Sequence, residues 1–228
     1  MSESNGNEKI KGKRTKDELF ELIVVIMLGI TAVATAWSSW QESLHGSQQD
    51  QKYTTSNALN AEANSMYNEG MQKYNQDLMI WNQLSGLYID YAFAEDKRDT
   101  EEMEKIDYKI SQIMDDNVYE EFAAAIDWAD SQEGYASPFE NEDFIGSYFA
   151  EYEETMAESE AMMEEGNEHN THGDNQGLVT VVYAVVLFLL GITATFKGSG
   201  PRKILLVVSG AAFVFATVFM LTIPIVMP

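Results

Sequence analysis

Two histidines three residues apart, His169 and His172, stand among the carboxylates Glu164, Glu165, Glu168 and Asp174 in one short polar stretch. Imidazole and carboxylate groups at this spacing would share a face if the stretch were helical, and such a set could hold a zinc-like ion. The same stretch carries Gly166, Gly173 and Gly177 and lacks an H-E-x-x-H pattern, so a solvated linker is the competing reading. Glu168, His169, His172 and Asp174 are the metal candidates to be weighed against it. His45, the remaining histidine, is isolated in sequence and reads as a surface or packing residue.

Other chemistry finds little footing. Carboxylate pairs such as Asp115/Asp116, Glu120/Glu121 and Glu153/Glu154 invite weak Ca²⁺ binding, but no D-x-[DN]-x-[DN]-G loop accompanies them. Glycosidase-like acid/base work needs two carboxylates across a cleft, and sequence cannot choose that pair. There is no G-x-S-x-G elbow, phosphate-binding loop or Rossmann glycine fingerprint, and with no cysteine there is neither a thiolate site nor a disulfide framework. The expectation is a protein that is not an enzyme and carries no cofactor.

The elements that must position these residues are set by hydropathy and charge. Residues 19–40, 178–196 and 204–227 are apolar and about 20 residues long, enough at about 1.5 Å per residue to cross a bilayer core of about 30 Å. Trp37 and Trp40 fall where an aromatic belt marks an interface. Gly29, Ala32 and Ala36 form a small-residue stripe that lets another helix come close. A basic start, an apolar run and Ala34-Thr35-Ala36 also resemble a signal peptide with its cleavage site. The length of the run and the helical pattern continuing beyond it favour a retained span.

Of 14 basic residues, Lys9, Lys11, Lys13, Arg14 and Lys16 precede the first span, and Lys197, Arg202 and Lys203 lie between the last two. Basic short loops mark the cytoplasmic side. Residues 1–18 therefore read as a disordered cytoplasmic tail, 197–203 as a cytoplasmic loop, and both residues 41–177 and the C-terminus as extracytoplasmic. Residues 41–177 hold 32 of the 37 acidic residues and six basic ones, a net charge of −26. Such a region repels nucleic acid and attracts cations or a basic protein partner. The absence of an N-x-[ST] sequon leans toward a prokaryotic plasma (inner) membrane.

Within that region, apolar residues from Leu59 to Tyr91 recur in threes and fours, which predicts one long amphipathic helix continuing the first span as a rod. Shorter helices are predicted over 101–114, over 118–130 with an N-cap from Asp115-Asp116-Asn117, and from Asn141 or Asp143 to about 165. The fold class expected is all-α and integral to the membrane: three transmembrane helices with an inserted helical extracytoplasmic domain.

The run Ala34-Thr35-Ala36-Trp37-Ser38-Ser39-Trp40-Gln41, followed by Ala136-Ser137-Pro138-Phe139 and a closing two-span hairpin, resembles an uncharacterised family of bacterial three-pass membrane proteins. The resemblance implies the same architecture over nearly the whole chain and brings no catalytic residues with it. Members of that family often carry basic residues after the first span, where this chain has Glu42, Ser43 and Leu44. A non-enzymatic envelope scaffold, self-associating in the bilayer, is the expected role. The alternative is an oligomeric ion channel with an acidic, cation-concentrating vestibule, its pore lined by Thr31, Thr35, Thr180 or Thr217.

Overall fold

A computed structural model describes residues 16–134, 136–196 and 199–227. Among the described residues the chain is helical throughout, with no strand. The elements are α1 (Lys16–Lys97), α2 (Thr100–Asn117), α3 (Glu120–Asp130), a 3₁₀ turn (Pro138–Glu140), α4 (Glu142–Ser147), α5 (Ala150–Thr195) and α6 (Ser199–Met220). Parts of α1, α5 and α6 are long and apolar enough to cross a membrane, so the chain has the makings of a multi-pass membrane protein. It divides into two compact units, one running through Lys52 and resuming at Glu164, the other spanning Tyr53–Met163.

The first unit exposes the apolar surface that a water-soluble bundle would hide, and its interior mixes an apolar cluster of Val179, Tyr183, Ala216 and Ile223 with buried polar groups. Val25, Ile30, Val33, Phe188, Val207 and Phe215 are exposed, while Thr31, Ser38, Gln41, Gln176, Thr193 and Ser209 are buried. Apolar surface outside and small polar groups inside is the arrangement a lipid solvent favours, because hydrocarbon solvates leucine and valine but not hydroxyls. The buried face of α1 repeats every seven residues, at Val24, Thr31, Ser38 and His45, which is the seam of a left-handed supercoil. The sequence shows no heptad array because hydroxyl and imidazole groups stand where leucine would signal one.

Residues 166–177, expected as a polar linker, are the middle of α5. The glycines there do not break the helix. A Cβ at Gly173 would already touch the His45 Cβ at 3.5 Å, and one at Gly177 would meet the Glu42 carboxylate at 2.9 Å. Their missing side chains let α1 and α5 approach closely.

The second unit has a conventional core of Ile80, Leu84, Phe122, Ala125, Ile126, Phe144 and Tyr148. Phe122 and Phe144 stack with ring centres 5.5 Å apart. Asp99 caps α2 by accepting from the Glu102 N–H, and Asn141 caps α4 by accepting from the Asp143 and Phe144 N–H groups. The expected cap of α3 at Asp115-Asp116-Asn117 is not used. α2 extends to Asn117, and Tyr119 occupies the N-cap without a side-chain bond.

Candidate functional site

The four metal candidates do not converge. Glu168 and Asp174 are exposed, while His169 and His172 are half-buried. Among the described residues, no group of three or more His, Asp or Glu side chains stands ready around a metal position. His169 and His172 instead meet His45, which is not a surface residue but is 1 % exposed. The His45 and His169 Nδ1 atoms are 3.0 Å apart, and the His172 ring centre is 5.4 Å from that of His45. The His45 Nε2 lies 3.1 Å from the Pro224 carbonyl oxygen. Burial holds the His45 pKa below the usual 6.5; the Pro224 bond opposes that shift, and the neighbouring imidazoles add to it.

This trio sits in a layer of buried polar contacts on α1. The Ser38 hydroxyl donates to the Gln176 side-chain oxygen at 2.8 Å, with the Gln176 backbone carbonyl 2.9 Å away. The Gln41 amide clasps Val226 from both directions, donating to its carbonyl at 3.1 Å and accepting from its N–H at 2.9 Å. Lys52 and Glu165 form an ion pair in the same unit. Sequence reading missed the layer because its members are far apart along the chain. The available signal was the seven-residue spacing of Thr31, Ser38 and His45.

Trp37 and Trp40 pack edge to face with centres 5.2 Å apart, and both are exposed. Gly29, Ala32 and Ala36 also face outward, and a Cβ on Gly29 would meet nothing within 4 Å. The seam within the bundle uses the other face of α1. Of the residues read as setting topology, Lys11, Lys13, Arg14 and Lys197 lie outside the described residues, and Lys16 opens α1. Arg202 and Lys203 fall in the first turns of α6. The Arg202 guanidinium lies 4.7 Å from the Phe20 ring centre and 3.6 Å from the Glu21 carboxylate.

In the second unit the core encloses a charge. Asp77 is 2 % exposed, and its Oδ2 accepts from the Tyr119 and Tyr148 hydroxyls, each at 2.7 Å. Burial, and then the hydrogen-bonded carboxylate, push both phenols above their usual 10. Lys73 stands over the Tyr119 ring at 4.1 Å, so a cation and an anion flank the same phenol.

Elsewhere in this unit, Trp81, Ser85, Tyr88, Ile89, Ala129 and Asp130 line a cleft of about 360 Å³. Trp81 and Tyr88 form aromatic walls 6.4 Å apart between ring centres. Asp130 and Asp127 impose a negative field that, after burial, helps to raise the Tyr88 pKa. Aromatic faces beside carboxylates suit a cationic group carrying apolar surface.

No known protein-family model matches the chain, nor does any characterised protein or solved structure.

Proposed function

We propose that the chain is a non-enzymatic, self-associating scaffold of a prokaryotic plasma (inner) membrane, whose acidic helical region receives a basic, amphipathic segment of another protein. In this reading the N-terminus is cytoplasmic, residues 41–177 and the C-terminus are extracytoplasmic, and Gly29, Ala32 and Ala36 serve association between copies. The observation that carries it is the cleft at Trp81 and Tyr88. Ile89 on its rim is 53 % exposed, and Phe93, one turn further along α1, is 60 % exposed. Apolar side chains left in water beside a cleft mark an interaction surface. The net charge of −26 over residues 41–177 selects a basic occupant. The pore reading has less support, because Thr31 is fully buried and Thr217 is bonded to Tyr183 within its own bundle.

The test uses the full chain in nanodiscs and a helical peptide of alternating lysine and leucine blocks as probe. Saturable binding is expected, weakened about tenfold by Ile89→Ser combined with Phe93→Ser, which leaves the charge unchanged. Binding that falls with salt but ignores these substitutions would reduce the acidic region to a non-specific polyanion and sink the docking reading. Orientation is checked by single cysteines at positions 43, 134 and 199, expected to label from outside, outside and inside. Outside labelling at 199 would overturn the topology, and a stable monomer in mild detergent would remove the self-association.

A further inference from the structure

Every histidine of the chain is in one cluster, and the buried one, His45, is prepared as a ligand. The His45 Nε2 lies 3.1 Å from the Pro224 carbonyl oxygen, which can only accept. Nε2 therefore carries the proton, and in the neutral ring Nδ1 is left as a lone pair. Metal-ligating histidines are typically fixed in this way, with the far ring nitrogen donating to a backbone carbonyl. Burial favours the neutral ring.

The lone pair faces the His169 Nδ1 at 3.0 Å. Two imidazole nitrogens bound to one ion at about 2.0–2.1 Å are separated by about 2.9 Å at a right angle and about 3.4 Å at the tetrahedral angle. The observed separation falls in that interval. The His172 ring neighbours the pair, its centre 5.4 Å from that of His45. Gly173, packed on the His45 Cβ, permits the approach of α5 that brings the two nitrogens together.

We propose that His45 and His169 are the preformed half of a binding site for a late first-row divalent ion of the copper–zinc class, completed on binding by His172 or water. Imidazole donors without thiolate select Cu²⁺, Ni²⁺ or Zn²⁺ over Ca²⁺ and Mg²⁺. The acidic region raises the local cation concentration that feeds the site. Binding replaces the single hydrogen bond between the two rings: the neutral His169 ring gives its Nδ1 proton to solvent and takes one from solvent at Nε2, so the ion meets two neutral rings, each through its Nδ1 lone pair. The proposal stands independently of the docking cleft, which belongs to the other unit.

With three histidines in all, nitrogen ligation can be traced directly. The experiment takes the full chain without a histidine tag, in detergent, with one equivalent of Cu²⁺, and reads nitrogen coupling by electron paramagnetic resonance. Coupling to imidazole nitrogen is expected in the native chain. It should disappear or drop to a single nitrogen in His45→Gln and in His169→Asn, with copper affinity reduced at least tenfold and the helical circular dichroism retained. His172→Gln, at a half-buried position, should weaken binding less. An oxygen-only spectrum in the native chain would assign the copper to carboxylates and overturn the proposal, whatever the variants do. Coupling undiminished in both His45→Gln and His169→Asn would do so too, leaving the pair as hydrogen-bonded imidazoles only.

Discussion

Gly70→Ala is expected to destabilise the Tyr53–Met163 unit by about 2–3 kcal/mol, the cost of forcing extra volume into a contact that cannot relax. A Cβ at Gly70 would overlap the backbone carbonyl oxygen of Tyr148 and stand 3.3 Å from the Phe149 ring. The obstacle is main chain at the junction of α4 and α5, so no rotamer change relieves it. Tyr148 is also a core residue, which carries the displacement into the aromatic cluster. Gly86 on the same helix has nothing within 4 Å of its would-be Cβ. There Gly86→Ala is expected to raise stability by about 0.5–1 kcal/mol through helix propensity alone. Denaturant unfolding of the full chain in mild detergent, followed by near-ultraviolet circular dichroism, measures both. Equal effects of the two substitutions would refute the close approach at Gly70.

The second large effect is expected at Asp77. Asp77→Ala removes the acceptor of two tyrosine hydroxyls and leaves them without it in the core, at a cost of about 3–5 kcal/mol. Asp77→Asn keeps an acceptor oxygen and should lose less than half of that. A loss under about 1 kcal/mol for Asp77→Ala would mean that the carboxylate does not anchor the core. The same cluster sets an alkaline limit. Tyr119 and Tyr148 ionise near 10.0 when unfolded and higher when folded. Above about pH 10 the unfolded chain releases protons that the folded chain retains, so stability is whole below that pH and declines above it. In Tyr148→Phe the decline should be shallower by the equivalent of one proton, about 1.4 kcal/mol per pH unit. An unchanged alkaline slope in that variant would show that Tyr148 is not the titrating group.

Much of the helix layout was legible from residue types. The threes and fours from Leu59 to Tyr91 anticipate the later part of α1, and Asn141 caps α4 as its side chain suggests. α2 and α3 lie within a few residues of their expected places. What escaped did so for physical reasons. Gly173 and Gly177 read as punctuation because their role, admitting a neighbouring helix, depends on a partner more than 100 residues away. Asp77 occupies a core-facing position in an otherwise largely apolar stripe, and nothing local distinguishes a carboxylate paired with Tyr119 and Tyr148 from one facing water. His45 was invisible as a site member because its partners, His169, His172 and Pro224, come from α5 and the segment after α6.

The polar layer at Ser38, Gln41 and His45 also bears on how the bundle can move. Its bonds run from about two turns of one helix to Gln176, His169, Val226 and Pro224. A slide of α1 by one turn, about 5.4 Å, would break all of them together. The layer therefore acts as a detent against axial displacement. Piston travel of α1 is the movement this bundle is built to resist.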